Sequence, residues 1–311
     1  MTMNRSPSTR HTSSLELLAT ISAWDQAAWS LAALALVAAG DGPPDITESA
    51  QQLLKSRGIT AAPGQSVSGL DNSAARQIAS QAAAPLHQAS ALATGRAISW
   101  SAQSDAALLA QGQASAFGAR AFADLMLPAM GDLADRLAAP GARMLDGGTG
   151  VGALAVAFAQ LFPRLQVLAI DIFDRALALA RRNVAASDVA DRVTVREQDV
   201  ASFADDTGFD LAYLPAPFIP PAAMHAGLPR VVAALRPGGW LFIARGKMGG
   251  TPAEDALTRL KTLVYGGTPL DDPEASDLLS GAGLIAVRSA PTPVGAPGIT
   301  IGQKPAAAAA A

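Results

Sequence analysis

The chain has 311 residues, half of them apolar, with 23 Lys and Arg against 26 Asp and Glu, a net charge of −3, three histidines and no cysteine. That composition excludes disulfides, thiolate metal sites and thiol catalysis, and it fits a reducing, cytoplasmic setting. The thin spread of basic residues, with no Lys/Arg stripe, argues against a nucleic-acid partner, and the length suits a core domain with a cover.

Residues 1–12, rich in Ser, Thr and Arg, read as a disordered tail. Residues 13–138 read as an all-helical cover. Leu15, Leu18, Ile21, Trp24 and Ala28 recur at helical spacing and continue through Leu31, Leu34 and Ala35. The most apolar stretch, 27–39, is bounded by Asp25 and Asp41 and is too short to span a bilayer, so no membrane role is expected. Its apolarity exceeds what a two-sided surface helix needs, which suggests a homodimer through the N-terminal helices. Asp45-Ile46-Thr47-Glu48 reads as a capping box opening a helix that stops at Gly58. A loop over 63–71 precedes a third helix, 72–94, kinked at Pro85. Trp100 falls in a connector. Ser104 or Asp105 caps a helix over 105–114, and a looser pattern over 117–138 is interrupted by Pro128. The cover is expected to end at Ala139-Pro140-Gly141.

From Arg143 onward strands alternate with helices, the pattern of a doubly wound α/β sheet. The expected strands are 142–146, 166–171, 192–197, 209–214, 239–245, 284–289 and 298–303. The expected helices are 151–162, 174–186, 222–235, 253–265 and 272–281. This sheet domain is assigned to 139–304, and 305–311, with its alanine run, is a low-complexity tail.

Within it, Met144-Leu145-Asp146-Gly147-Gly148-Thr149-Gly150-Val151-Gly152 is an apolar strand, a carboxylate and a glycine loop. Val167-Leu168-Ala169-Ile170-Asp171 is a second apolar run ending in a carboxylate. Glycines let backbone approach a ligand without Cβ interference, and the free N–H groups of the next helix face the loop. Asp171, at the strand tip, is placed to accept from two ribose hydroxyls. Residues 148–153 also satisfy the G-x-G-x-x-A dinucleotide fingerprint, with an acid about 20 residues on, so an NAD-dependent oxidoreductase is one reading. Asp146 speaks for a different ligand: a carboxylate there repels a pyrophosphate but suits the cationic methionine end of S-adenosylmethionine. Gln198-Asp199-Val200 after a third strand, a fourth strand over 208–214, and Pro237-Gly238-Gly239 before a fifth strand complete the series.

In that order and spacing, 136–304 resembles the class I S-adenosylmethionine-dependent methyltransferases. The resemblance implies a Rossmann-like sheet of seven strands, mostly parallel, the last one antiparallel. It implies that Asp146, Gly148, Thr149 and Gly150 underlie the methionine moiety. Asp171 would bind the ribose, Ile172 would pack on the adenine and Asp199 would accept from the adenine amine, with the Val200 backbone nearby. Leu214 and Pro215 would close the methionine pocket. Methyltransferases acting on adenine or glutamine amines carry Asn/Asp-Pro-Pro-Tyr/Phe after the fourth strand. Here Pro215-Ala216-Pro217-Phe218 stands there, and Pro215 offers no side-chain acceptor. The Leu-Pro-x-Pro-Phe form is similar to some bacterial small-molecule methyltransferases with a helical cover.

The expectation is therefore transfer of a methyl group to a carbon, nitrogen or oxygen of a small, largely apolar, natural-product-like molecule. Direct displacement from a sulfonium demands alignment and exclusion of water before it demands a base. His225 and His87 are the candidate bases; His11 lies in the tail. Trp29, Trp100, Gln111 within 111–115, Phe218 and Arg245 are candidate substrate contacts. No metal constellation is visible. A second rival is a catalytically silent scaffold of the same fold.

Overall fold

The computed structural model describes residues 14–40, 42–59, 72–93, 99–293 and 296–306, and for a few of these, chiefly 14–22, the backbone alone. The expected tail at 1–12, all but the first two residues of the expected tail at 305–311, His11, the 63–71 loop and the side-chain pattern of Leu15, Leu18 and Ile21 lie outside what is described. The chain divides into two compact units, Met1–Leu86 and His87–Ala311.

The first unit holds α1 (Ser14–Ala39), α2 (Pro44–Ser56) and the start of α3 (Asn72–Ala93). Its core gathers Ala33, Val37 and Ala38 of α1 against Ala50 and Leu54 of α2, with Ile78 and Ala79 of α3 alongside. The Asp45–Glu48 capping box does not form. The cap falls two residues earlier, at Pro43, which offers no side-chain acceptor, and Pro44 opens the first turn. α3 runs through Pro85, and the units divide immediately after it.

The second unit contains α4 (Asp105–Ala121), α5 (Leu133–Ala138) and the sheet with its helices. Its elements are β1 (Arg143–Gly147), α6 (Ala153–Leu161), β2 (Gln166–Asp171), α7 (Asp174–Ala185), β3 (Val193–Glu197), β4 (Phe209–Pro215), α8 (Pro221–Ala234), β5 (Leu235–Arg245), α9 (Pro252–Val264), α10 (Asp272–Gly281), β6 (Ile285–Ala290) and β7 (Gly298–Gln303). The strand order is β3-β2-β1-β4-β5-β7-β6, parallel from β3 to β5 and antiparallel at β7 and β6. Order therefore reverses beside β1, where β2 and β4 flank it and a crevice opens beyond the strand ends.

Period-2 alternation assigns each strand residue to one face. Met144, Leu211, Phe242 and Ala244 pack with Phe122, Leu133 and Phe158 on one side of the sheet. Leu145, Ala212, Leu214 and Ile243 pack with Met224 and Leu228 of α8 and Leu279 of α10 on the other. Phe122 and Phe158 are fully buried, each ring worth about 2–3 kcal/mol by area.

Two expectations for the cover are corrected. α4 continues to Ala121 instead of stopping at 114, capped at its start by Ser104, whose hydroxyl accepts from the Ala107 N–H. A π-helical turn at Phe122–Met126 and a 3-10 turn at Leu127–Ala129 carry the chain past Pro128, so 117–138 is not one helix. The compact units also meet at residue 86/87, not at 139–141. The reason is close packing: a Cβ on Gly112 of α4 would lie 2.1 Å from Val151 Cγ2, so α4 sits directly against the glycine loop.

Candidate active site

A cleft opens beyond the carboxyl ends of β1, β2 and β4. Its enclosed volume is about 190 Å³, and it opens to solvent at the mouth. Its lining includes Asp146, Gly148, Thr149, Gly150, Asp171, Ile172, Asp199, Val200 and Pro215 from the sheet, and Trp100, Gln111 and Phe218 from around it. All of these were expected as cofactor or substrate contacts.

Parallel pairing sets Asp146 of β1 beside Tyr213 of β4. Asp146 is 1% exposed. Its Oδ2 accepts from the Thr149 hydroxyl at 2.6 Å, while Oδ1 has no partner. Burial pushes its pKa up to about 7; the Thr149 hydroxyl opposes the rise and the nearby Asp171 charge adds to it. An orphaned, buried carboxylate oxygen is costly unless a cation or donor arrives.

The loop itself turns through Gly148, Gly150 and Gly152, all at positive φ. Asn183 Nδ2 donates to the Val151 carbonyl at 2.9 Å and fixes its far end. α6 starts at Gly152 with no side-chain cap, so its first-turn N–H groups remain available at the loop. Asp171 does more than its strand-end position implied. Its Oδ2 accepts the Gly150 N–H at 2.8 Å, and its Oδ1 accepts the N–H groups of Ile172 and Phe173 at 2.7 and 3.1 Å. Burial raises its pKa and those three donors pull it back. A carboxylate has about four lone-pair sites, so Asp171 both latches the loop and keeps capacity for a hydroxyl.

Ile172 is 46% exposed at the cleft wall, an apolar surface suited to a base. Asp199 is exposed; its Oδ1 caps the turn Val200–Ser202 by accepting the Ala201 N–H at 2.8 Å, leaving Oδ2 free to accept.

Several expected contacts lie elsewhere. Leu214 is fully buried in the core and does not line the cleft, because strand alternation turns it away from the side shared by Tyr213 and Pro215. Arg245 is 6% exposed and also outside the cleft. Its guanidinium is held by Thr300 Oγ1 at 2.9 Å, Ser289 Oγ at 3.0 Å and Asp272 Oδ1 at 2.8 Å, so it ties β5 to β7, β6 and α10. His225 is exposed on α8, its Nδ1 donating to the Pro221 carbonyl at 2.7 Å, and His87 is exposed on α3; neither lines the cleft. Trp29 is 66% exposed on α1, in the other unit.

Sequence reasoning passed over Tyr213, Leu108 and Gln198 as lining residues. Alternation along β4 was the available signal for Tyr213. Burial, and then the Asp146 charge, raise its phenol pKa far above neutral, so it stays protonated and is no base. Among the described residues lining the cleft there is no His, Lys, Arg or Glu. Trp100, Phe218 and Tyr265 form an aromatic cluster at the wall, with centroids 4.6 Å apart for Trp100–Phe218 and 5.1 Å for Phe218–Tyr265. No cluster of acids and histidines able to hold a metal, and no helix long and apolar enough to cross a membrane, occurs among the described residues.

Comparison with known proteins agrees with this geometry. Residues 144–239 match the family described as "Methyltransferase domain". Release factor glutamine methyltransferase of Rhodopirellula baltica is 38% identical over 113 residues, 36% of this chain and 37% of that protein. The tRNA1(Val) (adenine(37)-N6)-methyltransferase of Vibrio campbellii is 39% identical over 71 residues, 23% of this chain and 30% of that protein. The chain thus spans about a third of the length of such curated relatives. Among solved structures, human N-acetylserotonin methyltransferase in complex with SAM aligns with a TM-score of 0.61 at 17% identity, covering 96% of this chain and 99% of that one. An O-methyltransferase family protein from Burkholderia thailandensis gives 0.60 at 17%, with the same coverage. The mitomycin 7-O-methyltransferase MmcR gives 0.57 at 20%, covering 93% and 96%. Residues 144–239 are thus similar to a methyltransferase domain, and the chain shares the fold of these solved structures.

Proposed function

We propose that the protein is an S-adenosylmethionine-dependent methyltransferase acting on a small, largely apolar acceptor. The observation that carries this is Asp146, a buried carboxylate with an unpaired oxygen set directly before an open glycine loop and an uncapped helix start. That donor set fits the ammonium and carboxylate of a methionine moiety: Asp146 takes the cation, and the uncapped N–H groups at the start of α6 take the anion. It fits a pyrophosphate poorly, and the relatives and structures compared above are methyltransferases, so the oxidoreductase reading has no support. Asp171 would hold the ribose, Ile172 would lie against the adenine, and Asp199 Oδ2 would accept from its amine.

When bound, the cofactor supplies a methyl group on a sulfonium. Asp146, the start of α6 and Asp171 would hold the cofactor, and the methyl would pass to an acceptor lone pair by displacement from the sulfur, which would keep the bonding pair, with the acceptor proton lost to solvent. This chain's residues would align the acceptor and exclude bulk water; among the described lining residues there is no His, Lys, Arg or Glu, and the carboxylates Asp146, Asp171 and Asp199 are given to the cofactor. Such a lining favours an acceptor that is nucleophilic without a base, such as an amine, an enolised carbon or an acidic phenol.

Although the sequence relatives methylate glutamine or adenine amines, the position that would accept such an amine is Pro215 here. That difference, and whole-chain likeness to enzymes such as the mitomycin 7-O-methyltransferase, favour a small molecule of natural-product type. We extend the reading to a cytoplasmic enzyme and to a homodimer through the N-terminal helices, where Trp24 and Trp29 of α1 are 69% and 66% exposed. Light scattering on the intact protein tests the dimer: a monomer at micromolar concentration rejects it. Calorimetry tests the cofactor: S-adenosylhomocysteine is expected to bind and NADH not to, and the reverse would overturn the assignment. Transfer of labelled methyl from S-adenosylmethionine to a metabolite extract separates an enzyme from a silent scaffold.

A further inference from the structure

Most of the wall formed by Trp100, Leu108, Leu154 and Phe218 is apolar, but one polar group in it is unusually well held. Gln111 Oε1 accepts from Gln88 Nε2 at 3.0 Å, and Gln111 Nε2 donates to Ser115 Oγ at 3.2 Å. Ser115 Oγ in turn donates to the Gln111 backbone carbonyl at 2.9 Å. The three side chains form one chain of bonds running from α3 to α4. A primary amide has two N–H donors and two acceptor lone pairs. One of each is used, so one donor and one lone pair remain on a side chain that lines the cleft.

The backbone behind this amide cannot drift, because neighbouring Gly112 lies so close to Val151 that even a Cβ would collide. A fixed amide on an otherwise apolar and aromatic wall is the arrangement that reads one polar atom on a flat ligand. Half-buried Phe218, packed against the buried Trp100 ring at 4.6 Å between centroids, offers an aromatic surface nearby.

We propose that Gln111, positioned by Gln88 and Ser115, is the specificity-determining residue that recognises a hydroxyl or carbonyl oxygen on an aromatic acceptor lying along Trp100 and Phe218. This rests on the methyltransferase reading. An acceptor of that shape lacking the oxygen covers the amide's spare N–H and lone pair without bonding them, which weakens binding. Gln88 acts through Gln111 and is a positioning residue.

The test uses the full chain saturated with S-adenosylhomocysteine and two probes, 2-naphthol and naphthalene, titrated by calorimetry. The wild type is expected to prefer 2-naphthol by about five- to thirtyfold, the range of a buried hydrogen bond left unmade. Gln111→Leu should abolish that preference, and Gln88→Leu should reduce it about two- to fivefold, both with unchanged affinity for S-adenosylhomocysteine. Equal binding of the two probes by the wild type, no binding of either, or a preference that survives in both variants would overturn the proposal. If S-adenosylhomocysteine itself fails to bind the wild type, the methyltransferase reading falls and this inference with it. If it binds and only the naphthol preference is missing, this inference alone is wrong.

Discussion

The cofactor side of the cleft and its α4 side are held in different ways. Asp146 and Asp171 sit at the ends of neighbouring parallel strands, and their partners are mostly backbone N–H groups and a hydroxyl within the loop they serve. Gln111 and Trp100 sit on a helix and a turn, and are held by side chains from elsewhere: Gln88 for the first, Phe218 and Tyr265 for the second. The first side is local in sequence and general in its chemistry. The second is assembled from distant segments.

Substitutions should therefore separate the two sides. The largest effect is expected for Gly150→Val. Gly150 has a φ of +58°, and its Cβ would meet no protein atom within 4 Å, so the added side chain projects into space the cofactor needs. Affinity for S-adenosylhomocysteine should fall at least about a hundredfold, from backbone strain and obstruction together. Calorimetry checks it, and near-normal binding would mean that the loop faces away from the ligand.

Asp171→Ala should cost about ten- to a hundredfold in affinity. It should also lower the melting temperature, since three backbone N–H groups lose their acceptor. This differs from a pure ligand contact, for which stability without ligand would be unchanged. Differential scanning fluorimetry with and without S-adenosylhomocysteine distinguishes the two.

Arg245→Met should reverse the pattern. It removes the cation paired with Asp272 and unties β5 from α10, at about 1–3 kcal/mol for a partly exposed network, yet it touches no cleft residue. Thermal stability should drop while ligand affinity holds; a loss of affinity would return Arg245 to the site. The smallest effect is expected for Asp199→Ala, about threefold in affinity, because Asp199 is exposed and offers one oxygen after capping its own turn.

The same contrast explains what the sequence revealed. The strand–loop–helix order, the glycine loop and the spacing of Asp146 and Asp171 were legible because each is fixed by nearest neighbours in the chain. Leu214 was misplaced although alternation held the answer: Tyr213 and Pro215 line the cleft, so the residue between them cannot. The ion pair of Arg245 with Asp272 left no trace, since its partners come from three other elements. α4 was cut short because its small and polar residues over 111–115 blur helical periodicity. Those residues are small where the helix meets Val151 and polar where it faces the cleft.

The central claim is that buried Asp146 receives a cationic cofactor group. Its pKa near 7 in the free protein lies above the ordinary carboxylate value of 3.8. Taken alone, that rise stabilises the fold fully below about pH 4, and the benefit is lost as pH climbs through 7. A bound ammonium favours the ionised carboxylate and draws the pKa down, so cofactor affinity must move the opposite way, rising with pH through the same region. Calorimetric titration of S-adenosylhomocysteine from pH 5.5 to 8.5, on wild type and Asp146→Asn, measures this directly. Wild-type affinity is expected to strengthen about tenfold or more across pH 7, while the Asn variant, which keeps the bond from Thr149 but carries no charge, binds weakly and without that slope. A flat wild-type profile, or the same slope in the variant, would contradict the assignment of Asp146 to the cofactor's cation.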